Sequence, residues 1–239
     1  MMKLRLMICA MAAGTALFAT DYPSSNVYGV LSVSDTATSN TVVGVPWMNI
    51  GEGEPAAVTL SNLVSTATLD AGDIVYLYEN GTWLGYRLTS GGVWDPLTTI
   101  NGATVASPGS ADAKALTRGT GIIIQRANNQ DPIYLCGRYD ATTVSTSVPA
   151  NSMVLIANPK PTDAYITAGS AGDQINIPKN GGAMDMYERR SDGWYGTEII
   201  QVGGFDVKKK VKLDNGVLIG AGKGAFYKNN SDAAVTIQW

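Results

Sequence analysis

The chain has 239 residues, no histidine, and 17 Lys and Arg against 20 Asp and Glu, a formal net charge of −3. The missing histidine excludes Ser-His-Asp and Cys-His nucleophile systems and every histidine-based metal site. The acidic balance argues against a general nucleic-acid binder, which needs surplus cations to neutralise phosphates.

Residues 1–19 read as a secretory signal peptide, with Lys3 and Arg5 as a basic n-region, Leu6 to Phe18 as an apolar h-region and Ala19 at the cleavage point. No later segment is apolar enough for a transmembrane span of about 20 residues. The mature chain would carry one cysteine, Cys136, and one thiol closes no internal disulfide. Stability must then come from the core, which a chain of this length can supply by burying roughly 70% of its unfolded surface.

Along the chain, the first strand signal is Val42-Val43-Gly44-Val45. A loose helical period over Ala57 to Val64 predicts at most a short turn. Ile74-Val75-Tyr76-Leu77-Tyr78 is apolar on both alternating faces, so it predicts a strand covered on both sides. Asn80-Gly81 then predicts a hairpin whose second strand begins at Trp83. A second weak helical segment is Ala111 to Leu116. Gly119-Thr120-Gly121 leads into Ile122-Ile123-Ile124, and the glycines predict a tight turn entering a central strand, not a phosphate loop, because no helix follows. Asp140 to Pro149 reads as a boundary. Beyond it come the strand Met153-Val154-Leu155-Ile156, a hairpin at Asp192-Gly193 with its second strand from Trp194, a double glycine at Gly203-Gly204, and Gly222-Lys223-Gly224 before Ala225-Phe226-Tyr227. The last residues alternate, with Ala233, Val235, Ile237 and Trp239 on one face.

The landmarks recur in order. Asn40 matches Asn151, Trp83 matches Trp194, Gly91-Gly92 matches Gly203-Gly204, and Gly121 matches Gly224, with gaps that vary by a few residues. The expectation is an all-β protein of two similar packed β-sandwich or small-barrel units arising from internal duplication. The units would be 20–140 and 141–239. The first carries 5 basic and 11 acidic residues, the second 10 and 9.

Candidate sites follow from what chemistry remains. Glu79 and Glu188 recur after Tyr78 and Tyr187, and a carboxylate pair would suit glycoside hydrolysis; acids at hairpin ends explain them with less. Asp70 and Asp73 flank a turn but fall short of the six or so oxygen ligands of a calcium loop. No catalytic residue, cofactor or metal ligand is assigned, and the chain is expected not to be an enzyme. Trp83 and Trp194, being repeated, are expected in equivalent core positions. Trp47 and Trp94 are the candidates for exposed aromatics that stack on glycan. Lys208, Lys209, Lys210 and Lys212 form a basic stretch that suits either a solvated edge strand or contact with the acidic half of another copy.

Val45-Pro46, the Gly-Asp hairpin with Tyr and Trp, and Arg118-Gly119-Thr120-Gly121-Ile122-Ile123-Ile124 together resemble an uncharacterised family of secreted proteins of verrucomicrobial-type bacteria. The resemblance implies no activity and transfers no functional residue. The expectation is a secreted or cell-surface structural protein that associates with itself head to tail. The alternative is a carbohydrate-binding module acting on extracellular glycan.

Overall fold

The computed structural model describes residues 27–33, 40–44, 47–48, 58–61, 69–79, 81–105, 109–111, 114–127, 133–139, 143–179 and 183–239. The expected signal segment 1–19 lies outside the described residues. In the first half the strands are β1 (Val27–Val33), β2 (Asn40–Gly44), β3 (Trp47–Met48), β4 (Val58–Thr59), β5 (Ile74–Glu79), β6 (Thr82–Leu88), β7 (Trp94–Pro96), β8 (Thr99–Ile100), β9 (Ala103–Thr104), β10 (Ala115–Leu116), β11 (Gly121–Gln125) and β12 (Ile133–Tyr139). In the second half they are β13 (Ser145–Val148), β14 (Met153–Ala157), β15 (Ala164–Ile166), β16 (Gln174–Pro178), β17 (Met184–Arg190), β18 (Gly193–Val202), β19 (Phe205–Lys212), β20 (Val217–Ile219), β21 (Gly224–Lys228) and β22 (Val235–Gln238). The chain is all-β, and its strands pair antiparallel.

One main sheet lies in each half. Their strand orders are β2-β11-β5-β6-β7 and β14-β21-β16-β17-β18-β19. Smaller pairings complete the layers: β1-β12-β3 and β4-β10 in the first half, β13-β22 and β15-β20 in the second. Within the weak helical segments, Val58–Thr59 and Ala115–Leu116 are strand, while Leu60, Ser61 and Ala111 have helical backbone. Val58–Thr59 pairs with Ala115–Leu116, and Leu60 and Leu116 are buried in the first core; a helical period only one or two turns long does not outweigh that packing. Helical backbone is confined to Leu60 and Ser61 in that stretch of the described residues.

Period-2 alternation assigns the apolar side chains to three clusters. Val43, Val75, Leu77, Ile122 and Ile124 face the first core, which Tyr86 and Trp94 complete. Ile156, Ile175, Ala225 and Tyr227 face the second, with Trp194 and Trp239. The opposite faces of the same strands supply Val42, Ile123 and Leu155, which meet Tyr76, Tyr78, Trp83 and Phe226 in a third cluster joining the halves. This is why Ile122-Ile123-Ile124 is apolar without a break: β11 has a core on each face.

The junction is reciprocal. Val43 bridges to Lys223 and Ile156 bridges to Thr120. The Gly44 N–H donates to the Gly222 carbonyl at 2.8 Å, and the Ala157 N–H donates to the Gly119 carbonyl at 2.9 Å. Glycine permits this approach. A Cβ on Gly224 would lie 2.4 Å from Val42 Cγ1 and 2.8 Å from the Ile156 carbonyl oxygen, and that oxygen belongs to a paired backbone that cannot withdraw. Gly224→Ala is expected to cost about 1–3 kcal/mol by overpacking. Urea unfolding would measure it, and a change within about 0.5 kcal/mol would show that the halves separate to admit a methyl group.

Register corrects two sequence matches. Gly44 opposes Gly121 and Ala157 opposes Gly224, so Asn40 corresponds to Met153 and not to Asn151. Trp94 opposes Leu88 on β6, and Trp194 opposes Arg189 on β17. Because β6 and β17 hold the same rank in their sheets, Trp194 corresponds to Trp94; Trp83 corresponds to Met184. The turn signals at residues 81 and 193 mark real hairpins, but the first is β5–β6 and the second β17–β18, one step further along the sheet.

Candidate functional site

The residues proposed from the sequence scatter. Trp47 lies on β3 opposite Tyr139, and its side chain is outside the described residues. Trp94 is not an exposed platform. It is 4% exposed, and its indole N–H donates to the Leu60 carbonyl at 2.9 Å. Trp194 does the same in the second core, donating to the Ala168 carbonyl at 3.1 Å. A glycan cannot stack on a ring so enclosed. Trp83, expected in a core, is only half-buried; it packs 4.8 Å from Tyr78 and 6.4 Å, edge-on, from Phe226.

The carboxylates find local partners. Glu79 pairs with Lys114. Glu188 sits on β17, 4.0 Å from both Arg190 and Lys210. Asp73 and Asp173 are fully buried hubs at equivalent turns. Asp73 Oδ2 accepts the Asp70 N–H at 2.9 Å and pairs with Arg126 Nε at 3.0 Å. Asp173 Oδ2 accepts the Ser170 N–H and the Tyr227 hydroxyl, each at 2.8 Å. Burial, then the bond to Asp173, pushes the Tyr227 phenol far above its ordinary 10.0, so it stays a neutral donor. Asp73 and Asp173 thus close turns inside a core. Gly72 and Gly172 share φ of 95°, as a turn that places the next aspartate inward requires.

The lysine run is different. Lys208, Lys209, Lys210 and Lys212 lie on β19, the outermost strand of the second sheet. Lys212 Nζ is 3.0 Å from Asp192, whose carboxylate also accepts the Tyr195 hydroxyl at 2.9 Å. Lys212 first, then Tyr195, holds the Asp192 carboxyl below the usual carboxylate range. Arg190 stacks 4.5 Å from the Tyr195 ring centroid. The lysines are thus partly neutralised by their own half.

What the sequence reading missed is the hairpin that carries them. β18 and β19 pair without a break from Tyr195↔Lys212 to Val202↔Phe205 and are joined by Gly203-Gly204 at φ 59° and 86°, the two positive values of a tight two-residue turn. From Thr197 to Lys210 the side chains are exposed apart from half-buried Ile200, so this part projects as a two-stranded arm. Phe205 is 77% exposed, Val202 54% and Val207 41%. The available signal was an apolar-polar alternation on both sides of a double glycine. No helix among the described residues is long and apolar enough to cross a membrane. In comparisons with known proteins, no family model, no curated protein and no solved structure matches the chain.

Proposed function

We propose that this is a non-catalytic structural protein, exported to the cell surface or beyond it, that associates with itself. The observation that carries the reading is the arm of β18 and β19, which leaves Val202, Phe205 and Val207 on one face and Ile199 on the other in water although the chain has two cores to bury such residues in. Large apolar side chains grouped on a projecting element mark a contact surface. The matched strand orders and the reciprocal junction support a second part of the reading: the halves descend from one duplicated unit that once paired as a two-fold dimer, so self-association is an old property of the unit. The carbohydrate-binding alternative is weakened by the burial of Trp94 and would have to rest on Trp47 and half-buried Trp83.

Sedimentation velocity of the purified mature protein tests the reading. Concentration-dependent oligomers are expected. A strictly monomeric protein at millimolar concentration and every salt concentration tried would sink it and bring glycan binding to the front.

A further inference from the structure

Four Asn-Gly pairs punctuate the chain, at residues 80–81, 101–102, 180–181 and 215–216. An asparagine side chain before glycine is open to attack by the next backbone nitrogen, because glycine has no Cβ to obstruct closure of a five-membered ring. The fold treats the pairs differently. Asn80 and Asn180 lie outside the described residues. Asn101 and Gly102 form the two-residue turn between β8 and β9, with φ of 50° and 79°. From Asn101 to Thr104 every residue is exposed, and a Cβ on Gly102 would meet nothing within 4 Å. Each strand of this hairpin is two residues long, and none of its residues belongs to the three apolar clusters. Such a ladder opens at little cost. Asn215 is exposed as well, but Gly216 is pinned. Its φ is 88°, and a Cβ there would stand 2.4 Å from the Ile166 carbonyl oxygen. The next residue, Val217, is fully buried in the second core and pairs with Ile166.

We infer that Asn101 is a site of spontaneous deamidation in the folded protein, and that the fold shields Asn215 from the same reaction. Hydroxide removes the Gly102 amide proton, and that nitrogen attacks Asn101 Cγ. The N–Cγ bond forms, the Cγ–Nδ2 bond breaks, and ammonia leaves with a proton taken from water. Solvent water then opens the cyclic imide. Cleavage of the bond to Cγ leaves an aspartate in the original main chain. Cleavage of the bond to the α-carbonyl carbon leaves isoaspartate, with the main chain rerouted through the side chain. The reaction uses no side-chain base, so a chain without histidine supports it. Ring closure requires the backbone to rotate at Asn101, which the closed turn resists, so the rate follows opening of the hairpin. Opening β8–β9 disturbs only half-buried Leu97 and Ile100, whereas freeing Gly216 pulls Val217 out of a core. The consequence is local. Isoaspartate adds a main-chain atom to the tight turn, so Thr99↔Thr104 and Ile100↔Ala103 no longer both keep register. Leu97 and Ile100 pack over Gly85, where a Cβ would lie 2.9 Å from Leu97 Cδ1 and 3.2 Å from Ile100 Cδ1. The aged hairpin is a looser cover for β6, and it carries a new negative charge.

The test is incubation of the mature protein at mildly alkaline pH, folded and in concentrated urea. Peptide mapping by mass spectrometry reads the amide-to-acid exchange at each site, and enzymatic methylation scores isoaspartate. Dividing the folded rate by the unfolded rate at the same site cancels the influence of neighbouring side chains. That ratio is expected to be at least about tenfold larger at Asn101 than at Asn215, since opening free energies run from near zero for a surface hairpin to the global value for a core strand. The Asn101 rate should also rise with pH, as removal of the Gly102 amide proton demands. An Asn101 amide that survives in the folded protein while the unfolded chain converts overturns the inference and shows that the hairpin stays shut. Equal ratios at the two sites overturn it too, because both would then report global unfolding. Neither outcome depends on self-association.

Discussion

Replacing Asp73 with alanine is expected to destabilise the protein by about 3–5 kcal/mol, the usual cost of stranding one member of a buried ion pair. Asp73 is fully buried and Arg126 nearly so. Nε of Arg126 is 3.0 Å from Asp73 Oδ2, and Oδ1 accepts the Ala127 N–H at 2.9 Å. Without the carboxylate, the guanidinium keeps Asp70, 3.0 Å from Nη2 but more than half exposed and screened by water, and loses its buried counter-charge. The Ala127 and Asp70 amides lose their acceptor at the same time. The second half provides an internal contrast. Asp173 occupies the same turn, but its donors are the neutral Tyr227 hydroxyl and the amides of Ser170 and Asn230. Asp173→Ala strands no cation and should cost less, about 1–3 kcal/mol. Urea unfolding of both variants measures the difference. Equal losses would mean that the Arg126 pair adds nothing over neutral hydrogen bonds. Replacing Asp73 and Arg126 together with apolar residues of similar volume should recover most of the loss, because the cost lies in the unpaired charge and not in the missing pair.

Trp194→Ala is the second large effect, about 3–5 kcal/mol. The ring is fully buried, packs edge-on to Tyr227 at 6.0 Å, and donates to Ala168. Gly169 is fitted to it: a Cβ there would stand 2.8 Å from Trp194 Cζ2 and 2.8 Å from the Tyr227 hydroxyl. The surroundings are side chains held by the antiparallel pairs β15–β20 and β13–β22, whose ladders resist collapse into the space the indole leaves. Trp94→Ala should cost a similar amount in the first core. Trp83→Ala removes a half-buried ring from the junction and should cost about 1–2 kcal/mol. Thermal or urea unfolding of the three variants orders them. A loss at Trp83 larger than at Trp194 would show that the junction, not the two cores, holds the molecule together.

Local chemistry was legible in the sequence. Val42-Val43, Ile74 to Tyr78, Ile122 to Ile124 and Met153 to Ile156 are strands where β-branched and aromatic runs placed them, and the glycines at 81 and 193 mark hairpins, because a positive φ is a property of a few neighbouring residues. The alternation at the C-terminus was legible from Val235 on: Val235, Ile237 and Trp239 are buried while Thr236 and Gln238 are exposed, so its apolar face lines the second core, whereas Ala233, expected on the same face, is exposed and precedes the strand. The absence of histidine and the uneven charge are facts of composition and needed no fold.

Rank within a sheet is not local. Trp83 and Trp194 both follow a turn and look alike in sequence, yet one opens the second strand of a hairpin at the junction and the other enters a core, because β5–β6 and β17–β18 occupy different places in their sheets. Trp94 stands beside Asp95-Pro96, a combination that suggests a wet loop; only the Leu60 carbonyl, from a segment 34 residues away in the chain, explains why its ring is inside. The arm makes the same point for function. Alternation in Gly196 to Phe205 states which side chains share a face, but whether that face is covered depends on where the small strand pairs end. That limit is set by residues 148 to 166 and 213 to 239, packing against the base of the hairpin from distant parts of the chain. The sequence by itself determined the strands, the turns and the two-sided character of β11; the tertiary structure decided which apolar faces are buried, because burial is a property of what packs across a face and not of the residues that form it.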